Sequence, residues 1–211
     1  MKLYTRYGSR NLSHSLYKAF YSGESALRRY VKGEQIFTNA MMAGRHIHAM
    51  LYNIVLPKSD NDEIVLSKVD KFSKDTSIIF CEKHTKCDFM INGQPYDCVG
   101  RIDMVNEAMD SIADVKTYNI DKPEHRRQKC IEATRQIHFY HLLRWVKKKT
   151  IPKNGYVILV GMRPDKYTGK IVSTGDVEII EVPVPTEEEL ELEYSKRISD
   201  AVKIIKLCDK L

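Results

Sequence analysis

The chain lacks any long apolar segment. None of its apolar runs approaches the roughly 20 residues that a helix needs to cross a bilayer, and residues 1–6 lack the apolar stretch of a secretory signal. We therefore expect a cytoplasmic protein that does not enter a membrane. Internal repeats, low-complexity tracts and evident linkers are absent as well. With 211 residues, 43% of them hydrophobic and 29% charged, the sequence predicts one globular domain over 1–211.

Cysteine is scarce and irregularly spaced. The five cysteines are odd in number and irregularly spaced, which favours reduced thiols over disulfides. Cys81, His84, Cys87 and Cys98 could supply four zinc ligands. In a strand, however, their spacing would divide the side chains between two faces. We therefore expect no structural zinc.

Basic residues are concentrated in one segment. The net charge is +6, but residues 122–149 contain nine lysines and arginines against two acids, whereas five glutamates cluster over 187–193. This distribution is typical of a surface that contacts a phosphate backbone, although a solvated helix face has the same composition. The candidate DNA contacts in the basic segment are Arg126, Arg127, Lys129 and Arg135.

Apolar periodicity divides the chain into a helical part over 1–75, a core over 76–185 and a C-terminal helix over 186–211. In the first part, spacing predicts one helix over 12–31 and another over about 39–55. The polar segment that follows, 57–75, is predicted to be a loop with a short helix.

The core is predicted to contain β-rich runs followed by a long helix. Asn92-Gly93 is a strong hairpin signal. The predicted strands lie at 77–81, 87–91, 99–105, 112–117, 155–161 and 177–182, and the run at 155–161 is continuously apolar, as expected for a buried central strand. The basic helix over 123–149 follows three or four sequential strands. The resulting order is helices, then β-β-β-α-β, then a strand and a helix.

Two carboxylates and a lysine lie on neighbouring predicted strands. Asp114 and Lys116 are two residues apart and so share one face of a strand, and pairing with the preceding strand would bring Asp103 beside Asp114. Converging carboxylates suit Mg²⁺ or Mn²⁺. A lysine there can position a water and stabilise charge that grows on a phosphate. The set predicts metal-dependent phosphodiester hydrolysis, although each residue alone could be an ordinary surface charge.

The order of these residues resembles a known family. Gly100-x-x-Asp103, Asp114-x-Lys116-Thr117 and Gln136-x-x-x-Tyr140 resemble the PD-(D/E)xK nucleases of the RecB-like branch, and Gly44-x-x-x-His48 matches the histidine-bearing helix of that branch. The opening run Leu12-Ser13-His14-Ser15-Leu16 resembles RecE-type, exonuclease VIII-like phage enzymes. The combination is far more specific than any one element.

The resemblance implies an α/β fold of the α+β, mixed-sheet kind, with a restriction-endonuclease-like αβββαβ core, additional N-terminal helices and a C-terminal helix. It implies that two Mg²⁺ or Mn²⁺ ions are bound by His48, Asp103, Asp114 and the carbonyl of Val115. Lys116 would be the catalytic lysine. Gln136 and Tyr140, one helical turn apart, would orient this lysine and contact the DNA end. The neighbouring His46 leaves open which histidine contacts the metal.

The same resemblance implies an exonuclease that acts on the ends of linear double-stranded DNA in phage or prophage recombination. This enzyme would act in the cytoplasm of a bacterium or phage-infected cell. It would work with a single-strand annealing protein and assemble into a ring-shaped homo-oligomer. An endonuclease or repair nuclease of the same fold and an inactive DNA-binding subunit are alternatives. Some members of this branch carry an Fe–S cluster held by cysteines near the C-terminus, where this chain has only Cys208, so no cluster is expected.

Overall fold

The structure, a computed structural model, describes residues 3–5, 8–34 and 38–208, with side chains from residue 11 onward. Within these ranges, no helix has the length and apolar character needed to span a membrane. The elements in chain order are β1 (Leu3–Thr5), β2 (Gly8–Arg10), β3 (Leu12–Ser13), α1 (His14–Tyr21), α2 (Glu24–Lys32), α3 (Asn39–Leu51), α4 (Asp60–Thr76), β4 (Ile79–Ile91), β5 (Gln94–Val105), β6 (Ser111–Asn119), α5 (Pro123–Lys148), β7 (Asn154–Pro164), β8 (Ile171–Val182) and α6 (Glu187–Cys208).

A six-stranded mixed sheet forms the centre of the fold. Its order is β3-β5-β6-β7-β8, and β4 also pairs with β5. Successive strands β4, β5 and β6 are antiparallel, whereas β7 is parallel to β6 and β8 is antiparallel to β7. A parallel pair requires a crossover connection, which α5 provides between β6 and β7. The predicted mixed sheet and the αβββαβ order are confirmed.

Helices cover both faces of this sheet. Alternate residues of a strand point to opposite faces, and the buried run of β7 follows this rule. Val157 and Leu159 pack in the cluster that includes α5, α1 and α6. Ile158 and Val160 pack in the cluster that includes α3 and α4. Because both faces are covered, β7 is apolar at successive positions, as the sequence predicted for a buried central strand.

The prediction of a single helix over 12–31 is wrong. The chain forms two helices there, and α1 ends at Tyr21 before α2 begins at Glu24. Gly23 lies between them with φ of 101°, a conformation that residues with a Cβ rarely adopt. The apolar spacing continues across this break because both helices bury residues against the same cluster.

The prediction of a loop with a short helix over 57–75 is also wrong. Most of it forms the 17-residue helix α4, which begins after Ser59, an N-cap whose hydroxyl accepts a hydrogen bond from the N–H of Asp62. Val65, Val69 and Phe72 are buried at helical spacing, while most of the remaining residues are polar and Ile64 is exposed. A narrow apolar stripe on a polar helix is a weak sequence signal, and packing against the sheet supplies the stability.

Two strands predicted over 77–81 and 87–91 are one strand, β4. Its register with β5 shifts between Phe80 and Lys83, and Glu82 in this bulge has φ of 42°. The helix predicted to 55 ends at Leu51.

Candidate active site

The predicted site lies where β5 and β6 cease to pair. Their ladder joins 104–105 with 112–113. At the next position, Oδ2 of Asp103 accepts a hydrogen bond of 3.0 Å from the N–H of Val115. Tyr52, which follows α3, donates its hydroxyl to the carbonyl of Asp103 at 3.1 Å. Asp103 is thus fixed against the backbone that carries Asp114.

Asp114 and Lys116 form a buried ion pair. Nζ of Lys116 lies 2.5 Å from Oδ2 of Asp114, which is fully buried, and the lysine side chain is 18% exposed. Burial raises the pKa of Asp114, Lys116 opposes that shift, and the Asp103 carboxylate reinforces it. Burial would lower the pKa of Lys116, but the two carboxylates outweigh it and raise this pKa. The lysine is therefore held charged.

A cavity of about 470 Å³ opens onto this pair; we call it the Lys116 cavity. Five of the residues singled out from the sequence line it: His48, Asp103, Lys116, Gln136 and Tyr140. They come from α3, β5, β6 and α5, so elements distant in sequence supply one concave surface. Asp114 lies behind Lys116 and is the buried member of the set.

Gln136 and Tyr140 are tied to β5. Nε2 of Gln136 donates to the Tyr140 hydroxyl, which donates to the carbonyl of Arg101, both at 2.5 Å. Gly100 makes this approach possible, because a Cβ there would lie 2.9 Å from Cε1 of Tyr140 and from Cδ1 of Leu143. Within the described chain these bonds do not include Lys116, whose orientation is fixed by its ion pair instead.

The two neighbouring histidines of α3 have different surroundings. His48 lines the Lys116 cavity, whereas Nε2 of His46 lies 3.3 Å from Oδ2 of Asp62. Asp62 also accepts hydrogen bonds from the hydroxyl of Ser173 at 2.5 Å and from the N–H of Lys58 at 2.9 Å. Burial would raise the pKa of Asp62, but these contacts outweigh it and lower the pKa. His46 therefore joins α3 to Asp62 of α4, which is itself bonded to Ser173 of β8.

The acidic residues fit a hard divalent cation. Oδ1 of Asp114 is buried without a hydrogen-bond partner among the described residues, while Oδ2 contacts Lys116, and carboxylate oxygens are the ligands that Mg²⁺ prefers. No three described His, Cys, Asp or Glu side chains lie close enough together to form a ready-made metal centre, so His48 does not complete a three-ligand set here. Mg²⁺ commonly takes one or two carboxylates with water and substrate phosphates, which matches this pair.

Three other polar residues of the cavity were not predicted as residues of this site. Asn11, His14 and His84 line it. Oδ1 of Asn11 and Nδ1 of His14 are buried without a hydrogen-bond partner among the described residues. Burial, reinforced by nearby cations, lowers the pKa of His14 to about 4, so this imidazole is neutral. The motif around Ser13 contained the only signal, because helical periodicity says nothing about the first turn of α1.

Four basic residues of α5 were predicted as DNA contacts: Arg126, Arg127, Lys129 and Arg135. None of them lines the Lys116 cavity. Arg126 forms a two-point ion pair with Glu178 of β8, with Nε 2.8 Å from Oε2, and Lys129 pairs with Glu132 at 3.2 Å. Arg135 lines a separate cavity beside α6. Arg126, Lys129 and Arg135 thus have different surroundings around α5.

Comparisons with known proteins show the fold. No protein-family model matches the chain, and no curated protein matches it. A solved structure described as a candidate exonuclease from Eubacterium rectale is 13% identical with a TM-score of 0.58, over 94% of this chain and 81% of that one. The chain shares the fold of that protein, and the predicted fold class is confirmed.

Two further solved structures are less similar. One is a phage related exonuclease from Haemophilus somnus 129PT, 14% identical with a TM-score of 0.47, over 93% of both chains. The other is SSO0001, 12% identical with a TM-score of 0.48, over 90% of this chain and 76% of that one. With TM-scores below 0.5, neither structure adds support for the fold of this chain.

Proposed function

We propose that the protein is a metal-dependent deoxyribonuclease that hydrolyses phosphodiester bonds from the ends of linear double-stranded DNA. One observation carries the proposal: Asp103 and Asp114, from adjacent strands, meet a charged lysine at the wall of an open cavity. Two acids and a lysine in this arrangement are the groups that metal-assisted phosphodiester hydrolysis requires. The exonuclease description of the Eubacterium rectale protein with the same fold supports exonuclease over endonuclease action.

Each residue has a role within this proposal. Asp103 and Asp114, with the Val115 carbonyl and His48 at the cavity, would hold Mg²⁺ or Mn²⁺. A bound ion of this kind would polarise the phosphate and lower the pKa of a water. Lys116 has three N–H donors, and the ion pair with Asp114 leaves others free for a phosphate oxygen.

Gln136 and Tyr140 would form the wall that positions the DNA end. Their hydrogen bonds to each other and to β5 hold both side chains in place, and ordered donors cost little reorganisation when the substrate binds. The resemblance to RecE-type enzymes further supports a homo-oligomer that works with a single-strand annealing protein in phage or prophage recombination.

The test compares DNA forms and metal conditions. Purified protein is incubated with end-labelled linear duplex and with covalently closed circles, in Mg²⁺ or in EDTA. We expect digestion of the linear duplex in Mg²⁺ alone. Nicking of circles would favour the endonuclease alternative, and DNA binding without cleavage in any metal would favour the inactive binding subunit.

Two lysine variants sharpen this test. Lys116→Ala should abolish cleavage, while binding to linear duplex in EDTA stays within about threefold of the unsubstituted protein, since duplex affinity is spread over many phosphate contacts. Lys74→Ala, at an exposed lysine of α4, removes the same charge away from the cavity and should cleave normally. A fully active Lys116→Ala protein would contradict the assigned mechanism.

A further inference from the structure

A second cavity, of about 650 Å³, lies at the carboxyl ends of the parallel strands β6 and β7; we call it the β6–β7 cavity. Thr117 and Asn119 of β6 and Arg163 of β7 line it, together with the first residues of α3 and α5. In α/β sheets, the crevice beyond the carboxyl ends of parallel strands is a preferred ligand site. None of the residues to which the proposed function gives a catalytic or metal-binding role lines this cavity.

The charge of this cavity favours an anionic ligand. Lys122, Lys129 and Arg163 line it against a single acid, Glu124. Lys129 pairs with Glu132, but among the described residues neither the Lys122 ammonium nor the Arg163 guanidinium has an ion-pair or hydrogen-bond partner. Two cations with free donors in one concavity are suited to phosphate oxygens.

His125 adds a neutral donor to the same lining. Its Nδ1 accepts a hydrogen bond of 2.9 Å from the N–H of Asn119, so the neutral ring carries its proton on Nε2. Burial lowers the pKa of His125, and Lys129 and Lys122 reinforce the shift. The imidazole therefore presents an N–H without adding a charge.

The remaining lining suits a nucleobase. Met41, Tyr118, Met162 and Ile171 provide apolar and aromatic surface, and Met41 is 44% exposed. Aromatic and apolar surface beside basic residues is the pattern of single-stranded nucleic-acid sites. The cavity volume is in the range of small-ligand pockets, large enough for a nucleotide and too small for a duplex.

The β6–β7 cavity adjoins the Lys116 cavity. Lys116 and Thr117 are consecutive on β6, so their side chains leave opposite faces of the same strand, and each lines one cavity. Gly44 and His48, one turn apart on α3, likewise line one cavity each. A DNA strand that passes over this end of β6 could therefore reach both cavities.

We propose that the β6–β7 cavity binds one unpaired nucleotide of the DNA strand next to the scissile phosphate. Lys122 and Arg163 contact its phosphate, and Tyr118 with the two methionines contacts its base. This proposal rests on the proposed function for the identity of the strand, but the binding itself needs neither metal nor cleavage.

The test measures binding without catalysis. Fluorescein-labelled hexathymidylate is titrated with protein in EDTA and followed by anisotropy, with a 12-base-pair duplex as comparison. We expect Lys122→Ala with Arg163→Ala to weaken hexamer binding by about tenfold per side chain. The slope of log affinity against log salt should fall by about 0.7, since both side chains contact one phosphate and each neutralised single-strand phosphate accounts for about 0.7.

A matched double variant controls for net charge. Lys147→Ala with Lys148→Ala also removes two exposed charges, at the other end of α5, about 37 Å from Lys122 at 1.5 Å per residue. It should bind the hexamer within about threefold of the unsubstituted protein. Thermal unfolding of both variants confirms that they are folded.

The outcomes separate this inference from the proposed function. Equal weakening by the two double variants, or no hexamer binding by the unsubstituted protein, would overturn the nucleotide site even if the protein cleaves DNA. Hexamer binding that depends on Lys122 and Arg163 in a protein that never cleaves DNA would support the nucleotide site and overturn the nuclease.

Discussion

His141 of α5 should make the protein sensitive to acid. Its side chain is fully buried, and neither ring nitrogen has a hydrogen-bond partner among the described residues. Burial lowers its pKa from 6.5 to about 3, with a contribution from His138. Folding therefore keeps this ring neutral at pH values where the unfolded chain binds a proton. His141→Leu removes the titrating group and leaves an apolar side chain of similar size.

The magnitude follows from the two pKa values. Because the folded pKa is depressed, the unfolded state binds more protons as the pH falls below 6.5, and stability is lost from there down to the folded pKa of about 3. Proton linkage gives a loss of about 2 kcal/mol between pH 7.5 and pH 5. The variant should lack this component, whatever its stability at neutral pH.

Urea unfolding at pH 7.5, 6 and 5, followed by circular dichroism, measures the effect. The quantity of interest is the difference in unfolding free energy between the unsubstituted protein and His141→Leu, since contributions of other groups cancel. That difference should shift by about 2 kcal/mol in favour of the variant at pH 5. His84→Ala, at an exposed histidine, should show no comparable shift. Parallel stability curves for the unsubstituted protein and His141→Leu would refute the reasoning.

Three further predictions concern the candidate site. Gly100→Ala should displace the Tyr140 ring, lower the unfolding free energy by about 1–3 kcal/mol and reduce cleavage. Urea unfolding and digestion of linear duplex measure these two effects. A variant with unaltered stability and cleavage would disprove the close approach of Tyr140 to Gly100. His48→Ala should reduce Mg²⁺-dependent cleavage with little change in the unfolding free energy. His46→Ala should leave cleavage largely unchanged but lower the unfolding free energy by about 1–3 kcal/mol, because buried Asp62 loses a partner. Identical behaviour of the His48 and His46 variants would contradict their distinct surroundings.

The sequence alone determined the features that depend on local backbone geometry. The two-residue period of a strand placed Asp114 and Lys116 on one face, and the ion pair between them follows from that spacing. The continuous apolar run of β7 indicated a strand covered on both faces. The one-turn spacing of Gln136 and Tyr140 likewise placed them on one helix face, where their side chains are hydrogen-bonded. Each of these inferences uses neighbours along the chain.

Features that depend on packing between distant segments were decided by the tertiary structure. Helix α4 has too narrow an apolar stripe to be distinguished from a loop until the sheet buries it. The partner of Arg126 is Glu178, 52 residues away, so its charge could not be assigned to DNA or protein in advance. His46 and His48 are similar in sequence context, and only the position of Asp62 separates them.

The two cavities show the same division. The acids, the lysine and the Gln136–Tyr140 turn were recognisable in the sequence, but His14 and the β6–β7 cavity were not. A concave surface arises where strand ends and helix starts meet, and its lining residues have no common period along the chain. Local spacing therefore determined which side chains share a face, whereas three-dimensional packing determined which faces meet, because burial and charge pairing depend on neighbours that the chain order does not reveal.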